Sequence, residues 1–375
     1  MSAGDAPGIL LAGGGTGGHI FPLLAVAESA REVEPKVQCR FVCSARPLDA
    51  EILTREGEAF DAIPARPFGV RPRSLARFAM GWGASVRAAR DVLRAHRPGV
   101  IITSGGFVSA PIVQAARTEP VPVIAVNLDA VAGRANRWVA RHAAVRLSAT
   151  DALTDRVPPR WQRIGPIVRK PLRTPADPAT ARQAFGLDPH LPTLLVTGGS
   201  QGAQTVNGAI AWMLANHAQA FVGWQALHQC GGSEAEATEL RAAYERAGMR
   251  ARVMRFIEDM ASAWFAAELG ISRAGAGAVA EVWATATPSI FLPYPFHRDQ
   301  HQRINAAACE RTGGAIIVQD LIEPERAGPA IAQELVRLLS SGAARSEMIA
   351  ALRSMGPCDG AETVARAALA RIANP

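Results

Sequence analysis

Short apolar runs recur along this chain, each followed by a glycine-rich or polar turn and then by apolar residues at helical spacing. In the first half the runs are Ile9–Ala12, Val37–Cys43, Val100–Thr103 and Val121–Val126. In the second they are Leu194–Thr197, Arg252–Ile257, Leu269–Ser272, Ser289–Pro293 and Ala315–Val318. Runs of this kind predict strands buried on both faces, and the spacing between them predicts βαβ units, the first helix running to about Val33. The expected fold class is therefore α/β, with two Rossmann-like parallel-sheet domains. Pro158, Pro159, Pro166, Pro171, Pro175 and Pro178 crowd a stretch poor in apolar runs, which marks a boundary. The expected domains are 1–165 and 166–344, with a C-terminal helical segment, about 345–375, able to pack back on the first; Ala361–Ile372 has amphipathic spacing.

One segment departs from this alternation. Between 65 and 97, Arg66, Arg71, Arg73, Arg77, Arg87, Arg90, Arg94 and Arg97 are interleaved with Phe68, Val70, Leu75, Phe78, Met80 and Trp82. Two readings stand: an interfacial segment that meets anionic lipid, or a helix with its stripe in the core and its arginines in solvent. Pro72 and the triplet Gly81-Trp82-Gly83 argue against one continuous core helix.

Composition narrows the class. With 49% hydrophobic and 19% charged residues the chain is globular, and at 375 residues it exceeds what one core organises. A net charge of +7 favours an anionic partner: nucleotide phosphate, nucleic acid or an acidic membrane surface. The five cysteines are scattered, without CxxC spacing, which fits a reducing cytoplasm and neither disulfides nor structural zinc. No stretch reaches the roughly 18 apolar residues of a membrane span and the N-terminus has no signal-like pattern, so membrane contact is expected to be peripheral.

Candidate chemistry sits in four glycine turns after strands. The first, Gly13–His19, places five glycines between a strand and a helix, where unpaired N–H groups and the helix dipole favour an oxyanion, with His19 at its mouth. Gly13, Gly15 and Gly18 also satisfy GxGxxG; the acidic residue of an NAD site is missing, but Arg46 would suit the 2′-phosphate of NADP. The others are Ser104–Pro111, Gly198–Ala203 and Arg273–Ala278, the last leading to Glu281. Asn127, Leu128 and Asp129 are expected just past a strand end, facing the same crevice as the first two turns, and the polar stretch Phe296–Asn305 suits a loop that reads a sugar.

Taken together, Gly14–Pro22, Gly105–Pro111, Gly198–Ala203, Phe256–Met260 and Asp299–Gln302 resemble, in order and over nearly the whole chain, the MurG family of glycosyltransferases. The resemblance implies a GT-B fold with the two domains facing a cleft. It implies inverting transfer of N-acetylglucosamine from UDP-N-acetylglucosamine to the 4-hydroxyl of the N-acetylmuramyl sugar of a polyprenyl-diphosphate-linked acceptor, lipid I, in peptidoglycan synthesis. No cofactor, metal or nucleic acid is implied, and the enzyme would sit peripherally on the cytoplasmic face of the inner membrane. On this chain, Arg169 and Ile257 would lie near uracil, Ser200, Gln201 and Gly202 near the phosphates with Gly275, Glu281 on the ribose, and His301 and Gln302 on the sugar. Thr16, Gly17, Gly18, Gly105, Gly106 and Asn127 would face the acceptor. Arg71, Leu75, Phe78 and Trp82 match the family's membrane patch. His19 is the natural general base, since imidazole titrates near neutrality.

Departures fall mainly on the acceptor side. Where the family reads His-Glu-Gln-Asn, this chain reads Val126-Asn127-Leu128-Asp129, which makes Asp129 an alternative base; Pro166 replaces an asparagine and Phe107 a tyrosine. The competing expectations are a UDP-N-acetylglucosamine 2-epimerase on a similar scaffold, a divergent transferase with another acceptor, and a binding-only relative.

Overall fold

A computed structural model of the chain describes residues 8–68, 72–150, 160–199, 203–296 and 299–373. The chain forms two units, Met1–Lys170 with Cys358–Pro375, and Pro171–Pro357. Each is a parallel sheet wrapped by helices, as the buried apolar runs require.

In the first unit the order is β1 (Ile9–Ala12), α1 (Gly17–Val33), β2 (Cys39–Ser44), α2 (Pro47–Arg55), β3 (Phe60–Ile63), α3 (Pro72–His96), β4 (Val100–Thr103), α4 (Ser109–Ala116), β5 (Val123–Asn127), α5 (Arg134–Ala140), β6 (Val145–Ser148) and β7 (Gln162–Arg163). The sheet runs β3-β2-β1-β4-β5-β6-β7, so the strand order reverses between β1 and β4, where open α/β sheets leave a crevice at the carboxyl ends.

The second unit runs α6 (Lys170–Arg173), α7 (Pro178–Ala184), β8 (Thr193–Thr197), α8 (Gln204–Asn216), β9 (Gln225–Gln229), α9 (Glu234–Arg246), β10 (Arg250–Met254), α10 (Met260–Ala266), β11 (Leu269–Ser272), α11 (Ala276–Thr285), β12 (Ser289–Phe291), α12 (His301–Thr312), β13 (Ala315–Ile317), α13 (Pro324–Ser340) and α14 (Gly342–Arg353), with Lys170 at the junction. Its sheet is β10-β9-β8-β11-β12-β13, with the reversal between β8 and β11. The last helix, α15 (Gly360–Ala373), returns to the first unit, where Val364, Ala365 and Ala368 share a core with Leu23, Ala27 and Ala30 of α1.

Residues 166–170 belong with the first unit. Arg169 explains why: its Nε donates to Glu28 Oε1 of α1 at 2.6 Å and its Nη2 to Glu56 Oε2, just past α2, at 2.9 Å, while Ile164 and Ile167 are buried in the same core as α1.

The arginine-rich segment corrects an expectation. α3 is one unbroken helix of 25 residues that passes through Gly81-Trp82-Gly83. Pro72 stands at its start, where a missing N–H costs nothing. Ser85 Oγ, buried, donates to both Gly81 O and Pro64 O at 2.9 Å, anchoring the glycine-containing turn to the chain before the helix. The two sequence readings divide along the helix: Ser85, Ala89 and Leu93 are buried, whereas Leu75 is 46% and Met80 76% exposed. No helix among the described residues is long and apolar enough to cross a membrane.

Candidate functional site

In the first unit β1 and β4 leave the sheet in register, Ala12 beside Thr103, so the turns that follow begin side by side. Ser104 Oγ donates to the His19 carbonyl at 2.8 Å, and His19 Nδ1 lies 3.2 Å from the Ser104 carbonyl. A carbonyl only accepts, so Nδ1 carries the proton and Nε2 presents a lone pair. Gly106, at φ +76°, packs against that edge: a Cβ there would lie 3.1 Å from His19 Cδ2 and 3.4 Å from Nε2. Burial lowers the His19 pKa below its ordinary value, opposed chiefly by the negative charge of Asp129. The ring is therefore neutral at pH 7, with a basic nitrogen beside two glycine turns.

The glycine turn itself is held from two sides. Gly15, at φ +92°, donates its N–H to Asp49 Oδ2 at 2.7 Å and accepts at its carbonyl from Arg46 Nη1 at 2.7 Å. A Cβ on Gly15 would come 2.3 Å from Phe107 Cε1, and the Arg46 guanidinium lies over the Phe107 ring, 5.0 Å from its centroid. Arg46, a candidate for a 2′-phosphate in the dinucleotide reading, is thus engaged with the turn. Thr16 is exposed and its side chain caps nothing, so the first-turn amides at Gly17 and Gly18 have no side-chain acceptor from it.

Asn127 corrects a second expectation. It ends β5 rather than following it, is buried, and spends its amide on the fold: Nδ2 donates to Asp129 O at 2.7 Å and to Ser148 Oγ at 3.1 Å, while Oδ1 accepts from Asn136 Nδ2 at 3.3 Å. Asn127 therefore shapes the loop that carries Asp129. Asn136 also lies under Gly105, where a Cβ would meet its Oδ1 at 2.5 Å.

In the second unit Gly199 follows β8 at φ +80°, with its N–H on Thr197 Oγ1 at 3.1 Å and its carbonyl receiving Gln229 Nε2 at 2.9 Å. Ser200, Gln201 and Gly202, expected near phosphates, lie outside the described residues, as does Arg71 of the expected membrane patch. The helix beyond, α8, is pinned by its first turn: Thr205 Oγ1 donates to Asp320 Oδ2 at 2.5 Å and accepts from Arg273 Nη2 at 2.6 Å. Arg273 also donates to Asp320 Oδ2 at 2.6 Å and to Leu292 O at 2.8 Å, and its guanidinium lies 5.7 Å from the centroid of Tyr294.

Gly275 precedes α11 as its N-terminal boundary residue, with no side chain to cap the first turn. One and a half turns on, Glu281 Oε2 accepts from Trp264 Nε1 at 2.7 Å, and burial pushes its carboxyl up to about 7 despite that bond. Ile257 is buried beside exposed Phe256. His301 begins α12 with Nδ1 2.9 Å from Asp299 Oδ1, and Gln302 Oε1 accepts the Tyr294 N–H at 2.8 Å. Arg169, assigned by resemblance to the uracil, has its guanidinium in the double ion pair with Glu28 and Glu56.

The Glycosyltransferase family 28 N-terminal domain profile matches residues 9–146 and the corresponding C-terminal domain profile residues 193–364. The chain is 36% identical over 367 residues to a Nocardioides sp. protein named UDP-N-acetylglucosamine--N-acetylmuramyl-(pentapeptide) pyrophosphoryl-undecaprenol N-acetylglucosamine transferase, covering 96% of this chain and 97% of the relative. A protein of the same name from Geobacter sulfurreducens is 32% identical over 95% of this chain and 96% of its own length. The crystal structure of Acinetobacter baumannii MurG superposes with a TM-score of 0.74 at 25% identity, covering 98% of this chain and 100% of that one.

The chain belongs to glycosyltransferase family 28, within the MurG family.

The family-28 fold is shared more widely: a putative UDP-N-acetylglucosamine 2-epimerase from Listeria monocytogenes superposes with a TM-score of 0.66 at 12% identity, covering 99% of this chain and 98% of that one, a likeness of fold alone. The two parallel-sheet, Rossmann-like units of this family-28 chain match the GT-B fold. Two features that hold its glycine turns escaped the sequence. One is the Arg273–Asp320–Thr205 cluster, which joins residues remote in sequence. The other is Asp49, whose only signal is an acidic residue on the buried face of a helix that also buries Ile52 and Leu53.

Proposed function

We propose that this glycosyltransferase moves N-acetylglucosamine from UDP-N-acetylglucosamine to N-acetylmuramyl-(pentapeptide) pyrophosphoryl-undecaprenol. The observation that carries the reading is the neutral His19, with Nε2 free of the proton that Nδ1 holds toward Ser104, at the sheet's switch point beside an uncapped helix start. Full-length relatives that bear this transferase name support the donor and acceptor.

In the step proposed, His19 Nε2 takes the proton of the acceptor 4-hydroxyl as its oxygen attacks the anomeric carbon of the donor. The bond from that carbon to the UDP oxygen breaks from the opposite face, so configuration inverts, and UDP leaves with the electron pair. The second unit binds the donor: Glu281 accepts the ribose hydroxyls, and the glycine turns before α8 and α11 offer N–H groups to the departing diphosphate. The turns at Gly13–Gly18 and Gly105–Gly106 take the acceptor diphosphate. Asp129 assists by its charge near His19.

The exposed half of α3 supports attachment to an anionic membrane surface from the cytoplasmic side. Phe78 contacts Phe68 at 5.4 Å between centroids and Trp82 at 5.4 Å, and Arg66, Arg73 and Arg77 of the same segment are exposed.

The test is a radiolabelled transfer assay with UDP-N-acetylglucosamine and a lipid I analogue. Label in the lipid product, dependent on the analogue, is expected. Donor consumed without acceptor would instead make the protein an epimerase or hydrolase, and tight UDP-sugar binding without turnover would make it a binding protein.

A further inference from the structure

Asp49 takes no part in the step above, yet its carboxylate is completely buried on α2. Oδ2 accepts three hydrogen bonds, from Gly15 N–H at 2.7 Å, Ser44 N–H at 3.1 Å and Ser44 Oγ at 2.5 Å. Oδ1, equally buried, accepts none among the described residues. Burying a carboxylate with one oxygen unpaired is costly, and an asparagine would meet the same three donors with less desolvation. Three donors on one carboxylate oxygen tie this side chain to the glycine turn and to the end of β2. Its approach is also specific to the turn, because a Cβ on Gly14 would lie 2.4 Å from Oδ2.

The same turn leads directly into α1 and His19. Two carboxylates act on the imidazole, chiefly Asp129 on the loop after β5 and less strongly Asp49 on α2, while Arg46 before α2 donates to the Gly15 carbonyl.

We propose that Asp49 is a positioning residue for transfer, clamping the Gly13–Gly18 turn through Gly15 and Ser44. Oδ2 sets the place of the turn, and with it the place of His19 in the first turn of α1. The inference rests on the transfer reading above.

The experiment compares wild type, Asp49→Ala and Asp49→Asn by transfer kinetics across pH with a lipid I analogue, and by hydrogen exchange of the peptide spanning Gly13–His19. Asp49→Ala is expected to lower kcat/KM for the acceptor by roughly 10²-fold, to leave the KM for UDP-N-acetylglucosamine within about twofold, and to speed exchange in the turn. Asp49→Asn, which keeps the acceptor oxygen, is expected to restore most of the rate and to slow exchange again. Asp49→Ala activity within about threefold of wild type would overturn the proposal. So would an asparagine variant as impaired as alanine. If Asp49→Ala fails to fold, Ser44→Ala, which removes the hydroxyl donor to Oδ2, takes its place: faster exchange in the turn and a lower kcat/KM for the acceptor are expected, and wild-type values of both would overturn the proposal. If wild type transfers nothing to the analogue, the function reading fails, and the exchange comparison still tests the clamp.

Discussion

His19 and His228 are both held neutral by burial but carry their protons on opposite nitrogens. His19 donates from Nδ1 to the Ser104 carbonyl and leaves a lone pair on Nε2. His228 accepts the Tyr244 hydroxyl at Nδ1, 2.9 Å away, and donates from Nε2 to Asn207 Oδ1 at 3.1 Å, an oxygen identified by the Asn207 Nδ2 bond to Cys230 O. The first ring has a lone pair to use in chemistry; the second has both nitrogens committed to holding β9 against α8 and α9.

For His19 the expected outcome of His19→Ala is a loss of turnover of about 10²–10⁴-fold, with donor binding retained. Because burial lowers its pKa, the acidic limb of kcat/KM for wild type should lie below the pH of a free imidazole, the rate falling as pH drops and Nε2 is protonated. Transfer kinetics across pH check both.

For His228 the effect is on stability. Burial lowers its pKa to about 3, from 6.5 in the unfolded chain, so between these values the unfolded state binds more protons. The contribution is complete above 6.5 and is lost as pH falls toward 3, at up to about 1.4 kcal/mol per pH unit. Urea midpoints at pH 7.5 and pH 5 should therefore differ more for wild type than for His228→Gln, which cannot titrate.

Glu281 gives a donor-side prediction. With its carboxyl near 7, the proposed ribose contact would favour the ionised form, so binding should release a proton and affinity for UDP should rise with pH until the group is fully ionised. Glu281→Gln should flatten that dependence and weaken UDP binding by roughly 10- to 100-fold, the range for losing hydrogen bonds to a charged group. Calorimetric titration with UDP at several pH values measures both.

The exposed end of α3 predicts a lipid effect separable from chemistry. Replacing Leu75 and Met80 with serine removes exposed apolar surface without touching the buried Ser85, Ala89 and Leu93 face. Flotation with phosphatidylglycerol vesicles should fall, and transfer to a short-chain, water-soluble acceptor should stay unchanged.

How much of this was legible depended on what each residue answers to. The strands from Ile9 to Ala12 and from Val100 to Thr103 declared themselves because a strand buried on both faces has nothing but apolar positions to show. α3 did not, because glycine propensity at Gly81 and Gly83 argued for a break while Ser85, bonded outside the helix to Pro64, holds the turn. Asn127 read as a site residue because polar side chains at strand ends look alike in sequence; only its bonds to Asp129, Ser148 and Asn136 show it spent inside the fold. The place of His19 after the glycines made it a candidate, but its tautomer is fixed by Ser104, a residue 85 positions away.

The return of α15 to the first unit makes the second unit, in topological terms, an insertion within the first. The hydrophobic side of α1 facing Val364, Ala365 and Ala368 is completed only by chain that lies beyond the whole second unit in sequence. Cutting between Lys170 and Pro171 would thus leave the first unit incomplete: the earlier fragment would expose an apolar stripe along α1. Joining Lys170 directly to Cys358 through a short bridge is the route to an independent N-terminal half. During synthesis, that stripe needs shelter from the time α1 emerges until α15 arrives.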